Sequence, residues 1–176
     1  MKTYVIPGVF VTRTLTGVTR YSWEIMNELD LLLDDSDICI ELVVPNGVEV
    51  DRKYKNIKIV HYGKQAKFFW LNISFVRYIK KRKAIGLHIG VNVPWLKPDI
   101  VCIYDVNAIA NPSFFSKYHL MKTKLEKTIA VKMSKKIFTI SRFSAEEIAK
   151  YIGGDVDKFP VIPCGWQHMD RIISSG

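Results

Sequence analysis

Apolar and polar positions change period along this chain, and each period predicts an element. Residues 3–6 form a short apolar run that reads as a strand, followed by a loop over 7–16 with Gly8 and Gly17 near its ends. From Gly17 the period lengthens. Val18, Tyr21, Ile25, Met26, Leu29, Leu32 and Leu33 recur at steps of three and four, the stripe of an amphipathic helix that ends near Asp34 and Asp35. Residues 38–44 are a strand closed by the turn Pro45-Asn46-Gly47, and 56–61 is a shorter strand after a solvated turn at 51–53. A helix follows over 66–83. Its first half, Phe68-Phe69-Trp70-Leu71, is apolar on nearly every side, and its second half is basic. Strands over 85–89 and 100–104 are separated by a loop with two prolines and an exposed Trp95. A loop over 105–116 leads to a lysine-rich helix over 117–134.

The last unit begins with a strand at 137–140. Ser141 or Ser144 can cap the next helix, with Glu146 and Glu147 in its first turn near the positive end of the dipole. Ala145, Ile148, Ala149 and Ile152 supply its apolar stripe, and Gly153-Gly154 end it. Val161-Ile162-Pro163 then starts a further strand that opens at Gly165. Strands alternating with helices imply an α/β fold: a Rossmann-like, open, mainly parallel sheet with helices on both faces and right-handed crossovers. The 176 residues, 1–176, read as a single domain with a sizeable core.

Composition narrows the partners. A formal net charge of +9 points to an anion: a phosphate-bearing substrate, nucleic acid or an acidic membrane surface. No nucleic-acid motif is present, so no nucleic-acid partner is expected. Cys39, Cys102 and Cys164 are odd in number and lack metal spacing, which suits buried thiols in a reducing cytosol. No secretory signal is visible, and no window approaches the ~20 apolar residues needed to cross a bilayer.

In an open α/β sheet, ligands bind beyond the carboxyl ends of the strands. The loop entering the first helix, Thr14-Leu15-Thr16-Gly17-Val18-Thr19-Arg20-Tyr21, places a glycine at a helix start. There bare backbone can be approached and free N–H groups favour an anion; the plainer reading is a helix start capped by Thr16. His88 lies in an apolar strand, where a satisfied core histidine is the rival reading. Asp105 follows a strand and could orient a hydroxyl, or serve only as a turn carboxylate. Arg142 could meet a phosphate, while Ser141 and Ser144 could simply cap their helix.

The run from Lys135 to Gly165, KKIFTISRFSAEEIAKYIGGDVDKFPVIPCG, resembles the end of the N-terminal domain of GT-B glycosyltransferases, in particular the retaining family 4. Strand, S-x-F-S, short helix, a turn with Asp and Lys, then V-I-P-x-G occur in that order. T-G-V-x-R-Y resembles the family's glycine-rich turn, which implies that Gly17, Arg20 and Tyr21 lie near donor phosphates and acceptor; Thr16 replaces the first of its usual glycines. The segment around His88 resembles the family's D-x-x-H, implying a histidine near the transferred sugar, although Ile85 or Gly86 stands where the family has Asp. Tyr104-Asp105 corresponds to its His-Asp, so a histidine is missing here. The resemblance implies His88 and Asp105 as catalytic residues, and Asn92, Tyr104, Asn107, Ser141, Arg142 and Gly165 as lining the cleft.

It further implies an acceptor-side domain whose partner lobe, carrying the nucleotide-sugar site, is absent from this chain, so that the chain alone does not transfer sugar. The activity would be transfer of a hexose-type sugar from a nucleotide-sugar to a hydroxyl of a glycan or lipid-linked acceptor in bacterial envelope polysaccharide synthesis. No metal and no cofactor are expected beyond the nucleotide-sugar co-substrate. The location would be cytoplasmic, peripheral on the inner face of the plasma membrane, with the basic-aromatic stretch 67–83 and the 117–136 helix as the anionic-membrane face. The alternative is a non-catalytic Rossmann-like module, or a split-transferase subunit, that binds an anionic ligand or a membrane.

Overall fold

Six strands pair side by side, all parallel, in a computed structural model that describes residues 2–34, 36–64, 67–90 and 92–165. The strands are β1 (Lys2–Pro7), β2 (Ile38–Val44), β3 (Lys58–His61), β4 (Ile85–His88), β5 (Ile100–Cys102) and β6 (Lys136–Phe138). Their spatial order is β3-β2-β1-β4-β5-β6. The order reverses between β1 and β4, so the loops leaving these strands diverge and open a crevice at the carboxyl edge. The expected α/β architecture with a parallel sheet is therefore present.

Register decides which side chains share a face. Tyr4 pairs with Ile85 and Ile40, Leu87 with Ile100, and Ile100 with Lys136. Since side chains alternate along a strand, Ile6, Leu42, Ile89, Cys102, Tyr104 and Phe138 form one face and Val5, His88, Val101 and Ile137 the other. Helix α1 (Gly17–Leu32) covers the first face with Tyr21 and Met26. The second face is covered by three helical segments. Trp70, Phe75 and Ile79 of α2 (67–82) lie over Val5 and Val43. Ala130 of α4 (Lys117–Met133) and Ala145 and Ile148 of α5 (Arg142–Tyr151) lie over Val101, Ile103 and Ile137. A single turn, α3 (Asn107–Ala110), precedes α4.

Helix α2 spans 67–82 and changes pitch within itself: α-helical at Lys67–Phe69, π-helical at Trp70–Phe75 and α-helical again at Val76–Arg82. A π turn brings residue i+5 round to the face of residue i. Trp70 and Phe75 consequently touch, with ring centroids 5.6 Å apart, and both are buried. The indole N–H of Trp70 donates to the Tyr62 carbonyl at 2.7 Å. The apolar first half of α2 thus divides: Trp70, Leu71 and Phe75 enter the core, whereas Phe68 and Phe69 stay exposed.

Several expectations need correction. Strand β3 starts at Lys58 because the backbone N–H groups of Lys55, Asn56 and Ile57 donate to the Asp30 carboxylate at 2.7–2.9 Å and leave the ladder. Ser141 caps α5, so Glu146 and Glu147 fall in its second turn. The strand expected at Val161 is one parallel bridge, Thr139 to Val161, among the described residues. Trp95 is half-buried, packed edge-on to Phe68 at 5.2 Å, and Cys164 is exposed.

Candidate functional site

Helix α1 points its amino end at the crevice because of the local chemistry of Thr16 and Thr19. Thr16 is extended, and its hydroxyl accepts from the Thr19 N–H at 3.3 Å, while the Thr19 hydroxyl accepts from the Thr16 N–H at 2.6 Å. This reciprocal pair is a capping box made with threonine, and it holds the first turn in place. Gly17 follows at the first helical position. Its φ is not positive, and a Cβ placed on it would meet nothing within 4 Å. Neither backbone strain nor internal packing therefore calls for glycine there.

In front of Gly17 lies a concavity of about 580 Å³, lined by Arg20, Tyr21, Glu24, Tyr104, Asp105, Cys164 and Gly165 among others. The two tyrosines build its floor, edge to face at 5.3 Å. The Tyr104 hydroxyl donates to the Ile89 carbonyl, as does Ser22 at 2.8 Å, so both tether the chain leaving β4. Tyr21 donates to the Ile162 carbonyl at 3.3 Å and ties α1 to the carboxyl-terminal segment. Burial raises both phenol pKa values well above the ordinary value of 10, so these hydroxyls stay protonated and act as donors rather than bases. Asp105 stands exposed at the rim, one oxygen accepting from the Asn107 N–H at 3.0 Å in an Asx turn. Lys127, half-buried on α4, has its amine pKa lowered by burial, an effect opposed by the negative charge of Asp105.

A second concavity of about 450 Å³ lies on the other side of Thr16, lined by Val9, Thr12, Arg13, Thr14, Thr19 and Asn92. The Arg13 guanidinium donates to the Asn92 side-chain oxygen at 3.3 Å, which links the loop after β1 to the loop after β4 across the switch point.

Of the residues expected from sequence, Gly17, Arg20, Tyr21, Tyr104, Asp105 and Gly165 line one concavity, and Asn92 lines its neighbour. Four do not join them. His88 is fully buried on the opposite face of the sheet, its ring 5.8 Å from that of Phe75, with neither nitrogen partnered among the described residues. Burial pushes its pKa down to about 3, with Asp99 opposing, so the ring is neutral and out of reach of a solvent-borne sugar. Its expected place beside the transferred group is corrected accordingly. Asn107 is held by Asn111 at 2.8 Å on α3. The Ser141 hydroxyl is occupied as a cap, accepting from the Ser144 N–H at 3.0 Å. Arg142 is bound to Glu146 at 3.3 Å and Asp157 at 3.1 Å and lines neither concavity.

The residues that sequence reasoning missed are Arg13, Glu24, Lys127 and Cys164. Arg13 had a signal, alternating with Thr12, Thr14 and Thr16 in the loop after the first strand. Lys127 had none, because nothing in a lysine-rich helix marks the lysine that is half-buried. The Asp-x-Asp spacing at Asp155 and Asp157 has a local explanation: Asp155 caps the 3-10 turn Val156–Lys158, and Asp157 pairs with Arg142. Among the described residues no cluster of His, Cys, Asp and Glu could hold a metal ion. The chain matches no known protein family, and no curated protein matches it.

Proposed function

We propose that this chain is the acceptor-side, amino-terminal lobe of a retaining GT-B glycosyltransferase, which transfers a sugar from a nucleotide-sugar to a hydroxyl acceptor. The reading is supported chiefly by one observation: Gly17, Arg20, Tyr21, Tyr104, Asp105 and Gly165, drawn from three separate segments, line a single concavity at the carboxyl edge of a parallel sheet. The free N–H groups at the start of α1, together with Arg20, meet the charge of the donor diphosphate. Bare backbone at Gly17 lets that group come close. Asp105 accepts a hydrogen bond from the acceptor hydroxyl and orients it, and Tyr21 and Tyr104 form the wall against which the sugar sits. The donor's base and the remaining charge on the leaving diphosphate belong to a second lobe facing the same rim. The setting is bacterial envelope polysaccharide synthesis on the cytoplasmic side.

The test is Gly17→Val in a protein that carries both lobes, assayed for transfer and for hydrolysis of a panel of nucleotide-sugars. Since the new Cβ meets only open space, the melting temperature stays unchanged and transfer falls at least tenfold. Unaltered transfer overturns the role of this loop. Inactivity of the unsubstituted two-lobed protein with every donor, alongside tight binding of inorganic phosphate, favours a non-catalytic anion-binding module instead.

A further inference from the structure

The arginines of this chain have different partners. Arg82 and Arg142 are tied to carboxylates, the first to Glu41 and the second to Glu146 and Asp157. Arg13 is held instead by a neutral amide, the Asn92 side-chain oxygen at 3.3 Å, and among the described residues no carboxylate lies within ion-pair distance of it. A neutral partner fixes the guanidinium without cancelling its charge, and it uses only part of a fork of five N–H donors. The tether links the loops after β1 and β4, where the strand order reverses and ligands enter a parallel sheet.

Arg13 lines the second concavity, of about 450 Å³, and among the residues that line it there is no acid and no other cation. Small-molecule sites of this size bind through a few placed polar groups over apolar surface. Thr12 and Thr14 are exposed in its wall, and neither hydroxyl makes a hydrogen bond among the described residues. Asn92 gives its oxygen to Arg13, which leaves its amide N–H groups to donate elsewhere. Val9 supplies apolar surface. The charge then selects the ligand. One guanidinium matches one negative charge in the planar, two-oxygen geometry of a carboxylate. A phosphate dianion calls for further cations or free helix N–H groups, and Gly17 and Arg20 line the first concavity and not this one. Hydroxyls, an amide and an apolar patch around the charge suit a sugar ring, which carries hydroxyls at its edge and C–H groups on its faces.

We infer that the second concavity is a binding subsite for a carboxylate-bearing sugar, a uronic acid or its glycoside, with the Arg13 fork on the carboxylate and Thr12, Thr14 and Asn92 on the ring hydroxyls. The inference goes beyond the proposed transfer and does not rest on it, because this binding needs neither a donor nor a second lobe. Thr16 lines both concavities, so a sugar seated here stands beside the candidate site.

Titration of the full chain with methyl glucuronide, methyl glucoside and acetate, followed by amide chemical shifts in NMR, tests this directly. The glucuronide should bind about tenfold tighter than either the uncharged sugar or the bare carboxylate. Arg13→Gln should bring it to within about twofold of the glucoside, with the thermal melt unchanged because the side chain is exposed. Asn92→Asp sets a carboxylate against the guanidinium with almost no change in size, and should remove the preference equally. Arg77→Gln, which takes an exposed charge from α2, should leave the preference intact. Equal binding of glucuronide and glucoside overturns the proposal, as does a preference that survives Arg13→Gln. Acetate binding as tightly as the glucuronide would overturn the sugar, and inorganic phosphate displacing the glucuronide with a Kd below the glucuronide's own would overturn the singly charged ligand.

Discussion

His88 carries the clearest consequence of strand parity. Leu87 and Ile89, its neighbours, face the α1 side that holds the candidate concavity, and His88 faces Phe75 and the core beneath α2. Its folded pKa, about 3, lies below the ordinary 6.5 of an unfolded histidine. Between those values the unfolded chain binds a proton that the folded chain refuses. The contribution is therefore complete above pH 6.5 and is lost as pH falls towards 3. The slope is about 1.4 kcal/mol per pH unit, so the wild type should lose about 2 kcal/mol more than His88→Leu between pH 7.5 and 5. Urea denaturation at the two pH values measures this; equal losses in the two proteins would mean that His88 titrates normally. Glu41 poses the opposite case. It is buried at 1% exposure and satisfied by the Tyr78 hydroxyl at 2.7 Å and by Arg82 at 2.5 Å. With the Arg82 side chain 43% exposed, the pair is only partly shielded. Arg82→Ala should lower stability in urea denaturation, by less than for a fully buried pair, because Tyr78 continues to donate to the stranded carboxylate.

At the scale of the element, the two capped helices behave alike and serve different ends. The Ser141 cap and the Thr16 cap each hold an amino end at the same edge of the sheet, but Arg142 at the start of α5 is drawn off to Glu146 and Asp157, whereas the start of α1 opens onto the concavity. Thr16→Ala removes one half of the capping box and should cost about 1 kcal/mol in thermal unfolding, with Thr16→Ser recovering most of it. A full melt for Thr16→Ala would show that Thr19 alone holds the turn. The element boundaries were readable from period and breakers: α1, β2 and the stop at Gly153, φ +104°, stand where the pattern put them. The π turn in α2 was not. An apolar run on every side of a helix has no period from which a change of pitch can be read, and here packing of Trp70 on Phe75 selects it.

For the whole molecule, the question is which basic groups converge. A net charge of +9 favours anions in general, and the fold commits some of it, such as Arg82 and Arg142, to acids. Arg20 lines the concavity, and Arg142 is spent on its own helix and the following turn. Arg20→Ala should therefore weaken binding of a nucleoside diphosphate probe about tenfold by calorimetry, while Arg142→Ala should stay within about twofold. Equal effects would mean that binding is diffuse electrostatics and not a site. The strand order supplies the geometry: segments 17–21, 104–105 and 165 approach one another because the β1–β4 reversal opens a crevice between the loops that follow.

Periodicity, breakers and caps determined the local elements and, through their alternation, the parallel α/β class, since these are properties of neighbouring residues. Gly17 and Asp105 stood out as candidates for the same reason, one where a helix begins and the other where a strand ends, whereas Arg20, Tyr21 and Tyr104 were named only through the family resemblance. The direction in which a side chain faces was decided only in three dimensions. Register turned His88 into the core, pairing with acids removed Arg142 from the rim, and the loop crossing of Arg13 to Asn92 joined residues 79 positions apart. Those outcomes depend on which strands become neighbours, a long-range choice that no window of adjacent residues contains.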